Sequence, residues 1–503
     1  MKMIKKIWND KPLTLILFAG AFFRLISAIF SEGYGMHDDH FLVLEPAQSF
    51  LEGEDYNNWL PENQANPIPS GHSWFYVGIH YILLYLMESI GVVDPKIKMV
   101  IIRLIHAAYS MLIISMGYKI VRRMSTFHNA RLAGLILALL WFFPILSVRN
   151  LVEMVCIPPL MAATYQMLKF DEKRKYTFVI LAAVFAGLAT GVRYQAALFT
   201  LGFGLLLVIR QKWIPAIVFS LFWTITFFVT QIGDLIIWHE PFAEFSEYVR
   251  YNIENKTTYF NRPWYMYLGT VAGLLVPPVS VMLMFGFGYG AKKHLAVFLP
   301  AFVFFVFHSY FPNKQERFIL PVFPFVIMLG VVGWSMWQSR SSFWQKRAGL
   351  HRGLWVFFWV MNSILLLFFT PASTKKSRVE AVYWLGQQPD FNNLIVESSH
   401  SSSYVSPPAF YLGTWPDYYY TTKKNSAEKL ANLEAVQNPV SKPNYVIFMT
   451  EEHLDERVKR FEEGYGKEIE LAKTFEPSYI DELLHELNPH NNNQTVRVYK
   501  IKE

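Results

Sequence analysis

Cysteine is almost absent. Cys156 is the only one in the chain and stands inside an apolar run, so no intrachain disulfide can form. Charge is scarce as well: Asp, Glu, Lys and Arg make up 17% of 503 residues, against 53% hydrophobic and 17% aromatic. A chain of this length would ordinarily suggest two or three soluble domains, but such a composition points to lipid as the solvent. A Gly-rich strand-to-helix loop for nucleotide phosphates is also missing, because Gly464-Tyr465-Gly466 is too little to form one. The formal charge of +7 does not indicate nucleic acid, since Lys and Arg fall in short clusters between apolar runs, as in cytoplasmic loops.

What the chain has instead is a series of near-uncharged runs, each long enough or nearly so to cross about 30 Å of hydrocarbon. They lie near 13–30, 74–92, 99–118, 132–147, 153–168, 176–192, 195–209, 214–238, 265–290, 295–310, 318–337 and 353–370. The basic N-terminus before the first run imitates a secretory signal. With more membrane-embedded chain to follow, it is expected to be an uncleaved first span. Basic clusters occur around Lys5, Arg122, Lys173, Arg210, Lys292 and Arg347. If every run crosses, the first cluster and the later ones lie on opposite sides. If 74–92 lies along the outer surface, all are cytoplasmic, which gives eleven spans with the N-terminus inside.

This topology sends the acids, guanidiniums and aromatics outward: the Asp38/Asp39 loop, residues 147–153 and 191–195, the long segment 238–263, and 309–318. One-sided placement argues for a site at the outer face, because a transporter would also need polar gating groups on the inner side. Beyond about 372 the apolar runs shorten to strand length, at 394–397, 445–449 and 496–501, with helical patterns between them at 379–385, 453–463 and 479–487. The expected fold is a polytopic α-helical membrane domain over 1–371, with 31–98 as its first outer loop, followed by an extracytoplasmic α/β domain over 372–503 with a partly parallel sheet.

The chain is organised around Gly35-Met36-His37-Asp38-Asp39-His40-Phe41, where the first span ends. His37-x-x-His40 with two carboxylates has ligand types for a divalent metal. However, no further His or Glu follows at helical spacing and adjacent residues cannot all face one ion, so no metal site is expected. A carboxylate acting as general base suits the stretch better, because one base suffices when the leaving group is already good, such as a lipid phosphate. That phosphate needs positive charge. Arg193, Lys314 and Arg317 can supply it, the guanidiniums by binding phosphate oxygens in pairs; the bland alternative for Arg193 is an interfacial snorkelling residue. Trp59, Trp74 and Trp264 could stack on sugars or form an interfacial belt.

At these residues the chain resembles a known family. Asn313-Lys314-Gln315-Glu316-Arg317-Phe318, with Pro321 and Pro324 behind it, is similar to the His-Lys-Glu-Glu-Arg-Phe motif of glycosyltransferase family 22. These are the multi-span mannosyltransferases of dolichol-linked oligosaccharide and glycosylphosphatidylinositol-anchor assembly. His37-Asp38-Asp39-His40, continuing to Glu45, resembles the family's His-Pro-Asp-Glu motif and the Glu that follows it. Arg103 to His106 with Ser110, Arg149 ahead of Glu153, Gly233-Asp234 before Trp238, and the segment from Tyr259 and Phe260 through Pro263-Trp264 to Tyr267 add to the likeness, which covers roughly 13–330 in the right order.

The resemblance implies a C-type glycosyltransferase fold and an inverting enzyme with a polyprenyl-phosphate sugar, usually mannose, as donor substrate and no cofactor. Asp39 falls on the motif's Asp, which makes it the expected base; Asp38 replaces the motif's Pro and competes for the role. Lys314, Glu316, Arg317 and Phe318 match the second motif, whereas Asn313 stands for its His and Gln315 for its first Glu. Lys314, Arg317 and Arg193 are expected to hold the donor phosphate. His37, Glu153, Asp234, His239, Glu316 and Trp264 are expected to orient donor or acceptor. The expected partners are the lipid-linked sugar, a glycolipid or glycan acceptor and membrane lipid, at the outer face of a cell inner membrane. The competing classes are a lipid-linked sugar flippase or exporter, and a glycan polymerase or ligase.

Overall fold

The computed structural model of the protein describes residues 2–258, 261–434, 442–488 and 491–502. The chain divides into two compact units. The first comprises Met1–Ile29, Asn58–Ile79 and Ile101–Pro371; the second comprises Phe30–Asn57, His80–Val100 and Ala372–Glu503. Tyr259 and Phe260 lie outside the described residues.

The first unit is helical because in hydrocarbon each backbone N–H and C=O must find its partner within the segment. Among the described residues, five helices are long and apolar enough to cross a bilayer: Pro12–Phe30, Pro95–Met124, Trp213–Thr230, Glu316–Gln338 and Ala348–Phe369. Phe127–Leu139, Tyr176–Val192, Ala196–Ile209 and Leu295–Tyr310 are shorter apolar helices. The run at 265–290 is two helices, Met266–Leu274 and Val279–Gly290, bent by 119°. The break falls at Pro277 and Pro278, which have no N–H to give to a helix. Similarly, Glu316–Val322 is a tighter three-residue-per-turn stretch ahead of the α-helix Phe323–Gln338, with Pro321 and Pro324 at the join.

Small residues set how closely these helices approach. Val279–Gly290 packs on Phe323–Gln338 along a line of glycines. A Cβ added at Gly286 would come within 2.1 Å of the Gly330 carbonyl oxygen, and one at Gly333 within 1.9 Å of the Gly286 carbonyl oxygen. Backbone therefore lies on backbone, the arrangement that lets dispersion hold helices together where lipid removes the hydrophobic drive. Gly333→Val is expected to destabilise the unit by about 1–3 kcal/mol through overpacking. A lowered melting temperature in detergent checks this; an unchanged one would mean the helices can part without cost.

Two polar side chains seal defects inside the apolar core. Arg24 is fully buried and donates to Ser110 Oγ at 2.9 Å and to the carbonyls of Ala138 and Gly20 at 3.0 and 3.2 Å. The run at 132–147 breaks after Leu139, and Asn362, 1% exposed, spans the gap. Its Oδ1 accepts from the Trp141 N–H at 3.0 Å, and its Nδ2 donates to the Leu139 carbonyl at 2.8 Å. Asn362→Leu keeps the volume but strands both backbone groups, at about 1–3 kcal/mol for each buried group left unpaired. The expected result is a less stable protein with a lowered melting temperature in detergent; a neutral effect would show that water reaches the gap.

The second unit is built on a five-stranded mixed sheet of β1 (Leu394–Glu397), β2 (Tyr419–Tyr420), β3 (Tyr445–Phe448), β4 (Ile469–Phe475) and β5 (Val496–Ile501). The order is β2-β1-β3-β5-β4. β1 is parallel to both β2 and β3, while β5 runs antiparallel to β3 and β4. All four side chains of β1 and of β3 are buried, as expected for central parallel strands covered on both faces. The helices Lys376–Gly386, Leu454–Tyr465 and Tyr479–Leu487 accompany the sheet. Arg457 is buried beside β1, donating from Nε to Glu397 Oε2 at 2.6 Å and from Nη2 to the Glu397 carbonyl at 2.8 Å.

Residues 30–57 belong to this same unit and are tied to the chain after 372 by backbone. Gly33 and Thr374 form a parallel bridge so close that a Cβ on Gly33 would lie 1.7 Å from the Thr374 carbonyl oxygen; Gly33 also has φ +80°, which only glycine adopts freely. Lys375 Nζ donates to the Gly35 carbonyl at 2.6 Å. Further along, Lys98, Glu88 and Gln48 form one hydrogen-bonded group, with Lys98 Nζ to Glu88 Oε1 at 2.6 Å and to Gln48 Oε1 at 3.1 Å.

Candidate functional site

In the first unit, three local breaks in helical structure bring charged side chains together. The helix Tyr176–Val192 stops at Arg193, whose backbone is extended at φ −141° and ψ 109°. Glu153 lies on the single helical turn Val152–Val155, ahead of the proline-led helix Ile157–Lys173. Arg317 lies on the tight stretch Glu316–Val322. Arg193 Nη2 is 3.6 Å from Glu153 Oε1, and Arg317 Nε is 3.9 Å from the same oxygen. All three side chains are buried, at 5%, 7% and 3% exposure for Arg193, Arg317 and Glu153.

Both separations exceed hydrogen-bond length, so neither guanidinium is locked to the carboxylate in a bidentate fork. Each also donates to neutral groups. Arg193 donates to the Phe318 carbonyl at 3.1 Å and to Gln195 Oε1, and Arg317 Nε donates to Gln315 Oε1 at 2.9 Å. The Phe318 ring lies under both, 5.8 Å from Arg193 Cζ and 5.5 Å from Arg317 Cζ. Glu153 Oε2 is buried and has no hydrogen-bond partner among the described residues. Two buried guanidiniums thus approach one carboxylate oxygen, a grouping of donors that suits an anion with several oxygens.

Two stretches far apart in sequence frame this cluster. The Tyr267 hydroxyl donates to the Gln315 carbonyl at 3.0 Å, the Arg262 N–H donates to the Pro312 carbonyl at 3.2 Å, and Asn261 bridges Asn313. The segment ending at Tyr267 and the segment 313–318 are therefore one construction. Tyr248, on the helix Ala243–Glu254, is affected by the same charges: burial pushes its phenol up to about 12, with Arg193 pulling the other way. Lys314 is buried, and burial lowers its pKa; its ammonium is committed to the Phe311 carbonyl.

The Asp38/Asp39 stretch belongs to the second unit. His37–Asp39 is one helical turn that widens into a five-residue π-type turn, His40–Leu44, before the helix Glu45–Leu51. Asp39 is 3% exposed, Asp38 half-buried and His37 exposed, with the His37 ring stacked on Phe41 at 4.3 Å. The turn is fixed from behind by His40. Its ring stacks between Tyr34 at 4.7 Å and Tyr411 at 5.6 Å, and its Nε2 lies 3.3 Å from the buried carboxylate of Glu45. Glu45 in turn accepts the Phe410 N–H at 3.2 Å.

Of the other residues singled out from sequence, Glu316 precedes Arg317 on the same tight stretch and Trp264 lies on the segment that runs to Tyr267. Asp234 is buried and its Oδ2 accepts the Glu244 N–H at 3.0 Å. His239 and Glu316 are exposed, and Trp264 is 63% exposed. Trp59 and Trp74 are buried against each other at 5.9 Å, so they are core residues. Sequence reasoning missed Glu244, a wholly buried carboxylate that accepts from Ser70 Oγ, the N–H groups of Gly71 and His72, and the indoles of Trp74 and Trp238 at 2.5 to 3.2 Å. Nothing local marks it, because its partners are up to 174 residues away. Gln195 and Gln315, which hold the two guanidiniums, were equally inconspicuous.

Comparison with known proteins points one way. A model of the Alg9-like mannosyltransferase family matches residues 15–403. GPI mannosyltransferase 3 of Debaryomyces hansenii is 23% identical over 434 residues, 82% of this chain and 75% of its own. The human α-1,2-mannosyltransferase ALG9 is 26% identical over 217 residues, 38% of this chain and 34% of that protein. Among solved structures, ArnT from Cupriavidus metallidurans in the apo state is similar at TM-score 0.59 and 13% identity over 97% of both chains. ArnT is also solved bound to undecaprenyl phosphate, at TM-score 0.55. The oligosaccharyltransferase AglB of Archaeoglobus fulgidus, in complex with an inhibitory peptide and a dolichol-phosphate, is similar at TM-score 0.52 and 11% identity over 88% of this chain and 70% of its own. At these identities the structural likeness is one of fold, the C-type glycosyltransferase fold.

Proposed function

The chain belongs to the Alg9-like mannosyltransferase family of membrane glycosyltransferases, and from that premise we propose that it moves mannose from a polyprenyl-phosphate donor to a hydroxyl of a glycolipid or glycan acceptor. The observation that carries the donor assignment is the pair of buried guanidiniums, Arg193 and Arg317, that approach one oxygen of Glu153 at 3.6 and 3.9 Å. A sugar phosphodiester offers the anionic oxygens that such a pair binds. Its phosphate gains negative charge as the bond to the sugar breaks, which is when fixed cations contribute most.

Asp39 is the base in this scheme. It takes the proton from the acceptor hydroxyl as that oxygen attacks the anomeric carbon; the carbon–oxygen bond to phosphate breaks and the lipid phosphate leaves with the electron pair. Attack from the face opposite the leaving group inverts the anomeric configuration. Arg193 and Arg317 receive the phosphate, with Lys314 adding positive charge. Glu153 keeps the guanidiniums compensated while no donor is bound, because a buried charge without a counter-charge is costly. His37 and Asp38 stand beside the base and orient the acceptor. Asp234 acts through Glu244, which it positions, and His239, Glu316 and Trp264 are exposed contacts for the acceptor. The basic inner clusters and the outward acids and guanidiniums support a site and a C-terminal domain on the extracytoplasmic side of a cell inner membrane.

The test uses purified protein in lipid with radiolabelled polyprenyl-phosphate mannose and candidate glycolipids. Labelled glycolipid is expected. Movement of intact donor across the bilayer without product would overturn the transferase in favour of a flippase, and product from lipid-linked oligosaccharide but not from the monosaccharide donor would favour a polymerase or ligase.

A further inference from the structure

The helix Leu295–Tyr310 ends in two buried polar residues that the reaction scheme leaves unused, His308 at 4% exposure and Ser309 at 8%. Buried polar atoms are normally paired. His308 Nδ1 is 2.8 Å from the Phe304 carbonyl oxygen one turn earlier. A carbonyl only accepts, so Nδ1 carries the hydrogen, and in the neutral ring Nε2 is left as a lone-pair acceptor. That nitrogen is buried and has no hydrogen-bond partner among the described residues.

Its surroundings tie it to the cationic cluster. The His308 ring lies on Phe304 with centroids 4.0 Å apart and planes 28° apart, and Arg193 Cζ lies 5.7 Å from the centroid of the same Phe304 ring. Asn313 Oδ1, next to Lys314 on the loop after the same helix, is a second buried acceptor atom without a partner among the described residues, and Ser309 Oγ is a third such polar atom.

Acceptors of this kind cannot be meant for the phosphate of a phosphodiester, which offers no hydrogen to share. The part of a lipid-linked sugar that does is the ring of hydroxyls. We infer that His308 Nε2, helped by Asn313 Oδ1, accepts hydrogen bonds from hydroxyls of the donor sugar and so selects the sugar, while the guanidiniums bind the phosphate. This inference rests on the reading of Arg193 and Arg317 as the donor-phosphate cradle.

The experiment compares equilibrium binding of sugar-free polyprenyl phosphate and of polyprenyl-phosphate mannose to the full-length protein in detergent. His308→Phe keeps an aromatic ring on Phe304 but removes the acceptor; His308→Gln restores one. The Phe variant is expected to bind polyprenyl phosphate as the wild type does and polyprenyl-phosphate mannose about 10- to 100-fold more weakly, the cost of leaving a buried hydroxyl unpaired. The Gln variant is expected to recover most of that loss. Equal weakening of both lipids would make His308 a structural residue, and unchanged binding of both would remove it from the site; either overturns the inference. If the wild type binds neither lipid, the phosphate cradle itself is wrong and the inference falls with it, whereas wild-type binding combined with an indifferent His308→Phe leaves the cradle standing.

Discussion

Asp39→Asn is expected to yield a folded protein that no longer transfers mannose. The substitution exchanges one carboxylate oxygen for an amide of the same size, so the single turn His37–Asp39 and the widened turn behind it keep their packing. On the proposed scheme, what disappears is the basic carboxylate that receives the acceptor's proton. General bases contribute about 10²- to 10⁴-fold, and here no second carboxylate of the turn is equally enclosed: Asp39 is 3% exposed, whereas Asp38 is half-buried. The loss should fall on kcat, with an unchanged melting temperature and unchanged donor binding. Asp38→Asn should cost far less. If Asp38→Asn abolishes transfer and Asp39→Asn does not, the two aspartates exchange roles.

Removing a guanidinium is the other large effect. Arg317→Ala should lower transfer by about 10²- to 10³-fold, since on the proposed scheme it takes a fixed positive charge from the point where the phosphate acquires its negative charge. Arg317→Lys should recover little, because an ammonium can neither span two phosphate oxygens nor keep the planar contact with Phe318 and the bond to Gln315. Sugar-free polyprenyl phosphate should bind Arg317→Ala more weakly than the wild type, which separates this variant from Asp39→Asn. Wild-type binding of that lipid by Arg317→Ala, together with wild-type transfer, would remove the cradle from the mechanism.

The elements most legible in the sequence were those whose pattern is set locally. The apolar runs became helices, and the short runs at 394–397, 445–449 and 496–501 became β1, β3 and β5. β4 escaped because it is an edge strand with exposed residues from Glu470 to Lys473, so its composition looks like surface. β2 is two residues long and has no periodicity to read. The helix breaks at Leu140 and at Pro277 lie inside continuous apolar runs, where hydropathy alone cannot show a bend.

Arg193, Glu153 and Arg317, each singled out from its local sequence, do come together in the fold. A residue that matters through what it touches leaves no such local trace. His308 looks like one more polar residue at the end of an apolar helix, and only the pairing of its Nδ1 and the lack of a partner for Nε2 distinguish it. Glu244 is similar: its five donors come from two segments far apart in the sequence.

The bridge between Gly33 and Thr374 bears on the order of events during synthesis. The turn holding Asp38 and Asp39 leaves the ribosome among the first residues made, yet Thr374, Phe410 and Tyr411, which brace it, are made more than 300 residues later. Until then the turn lacks its native neighbours, so a nascent chain, or one cut short before about residue 411, carries the aspartates without their setting. In such a product His40 has no Tyr411 ring to stack on and Glu45 no Phe410 N–H to accept.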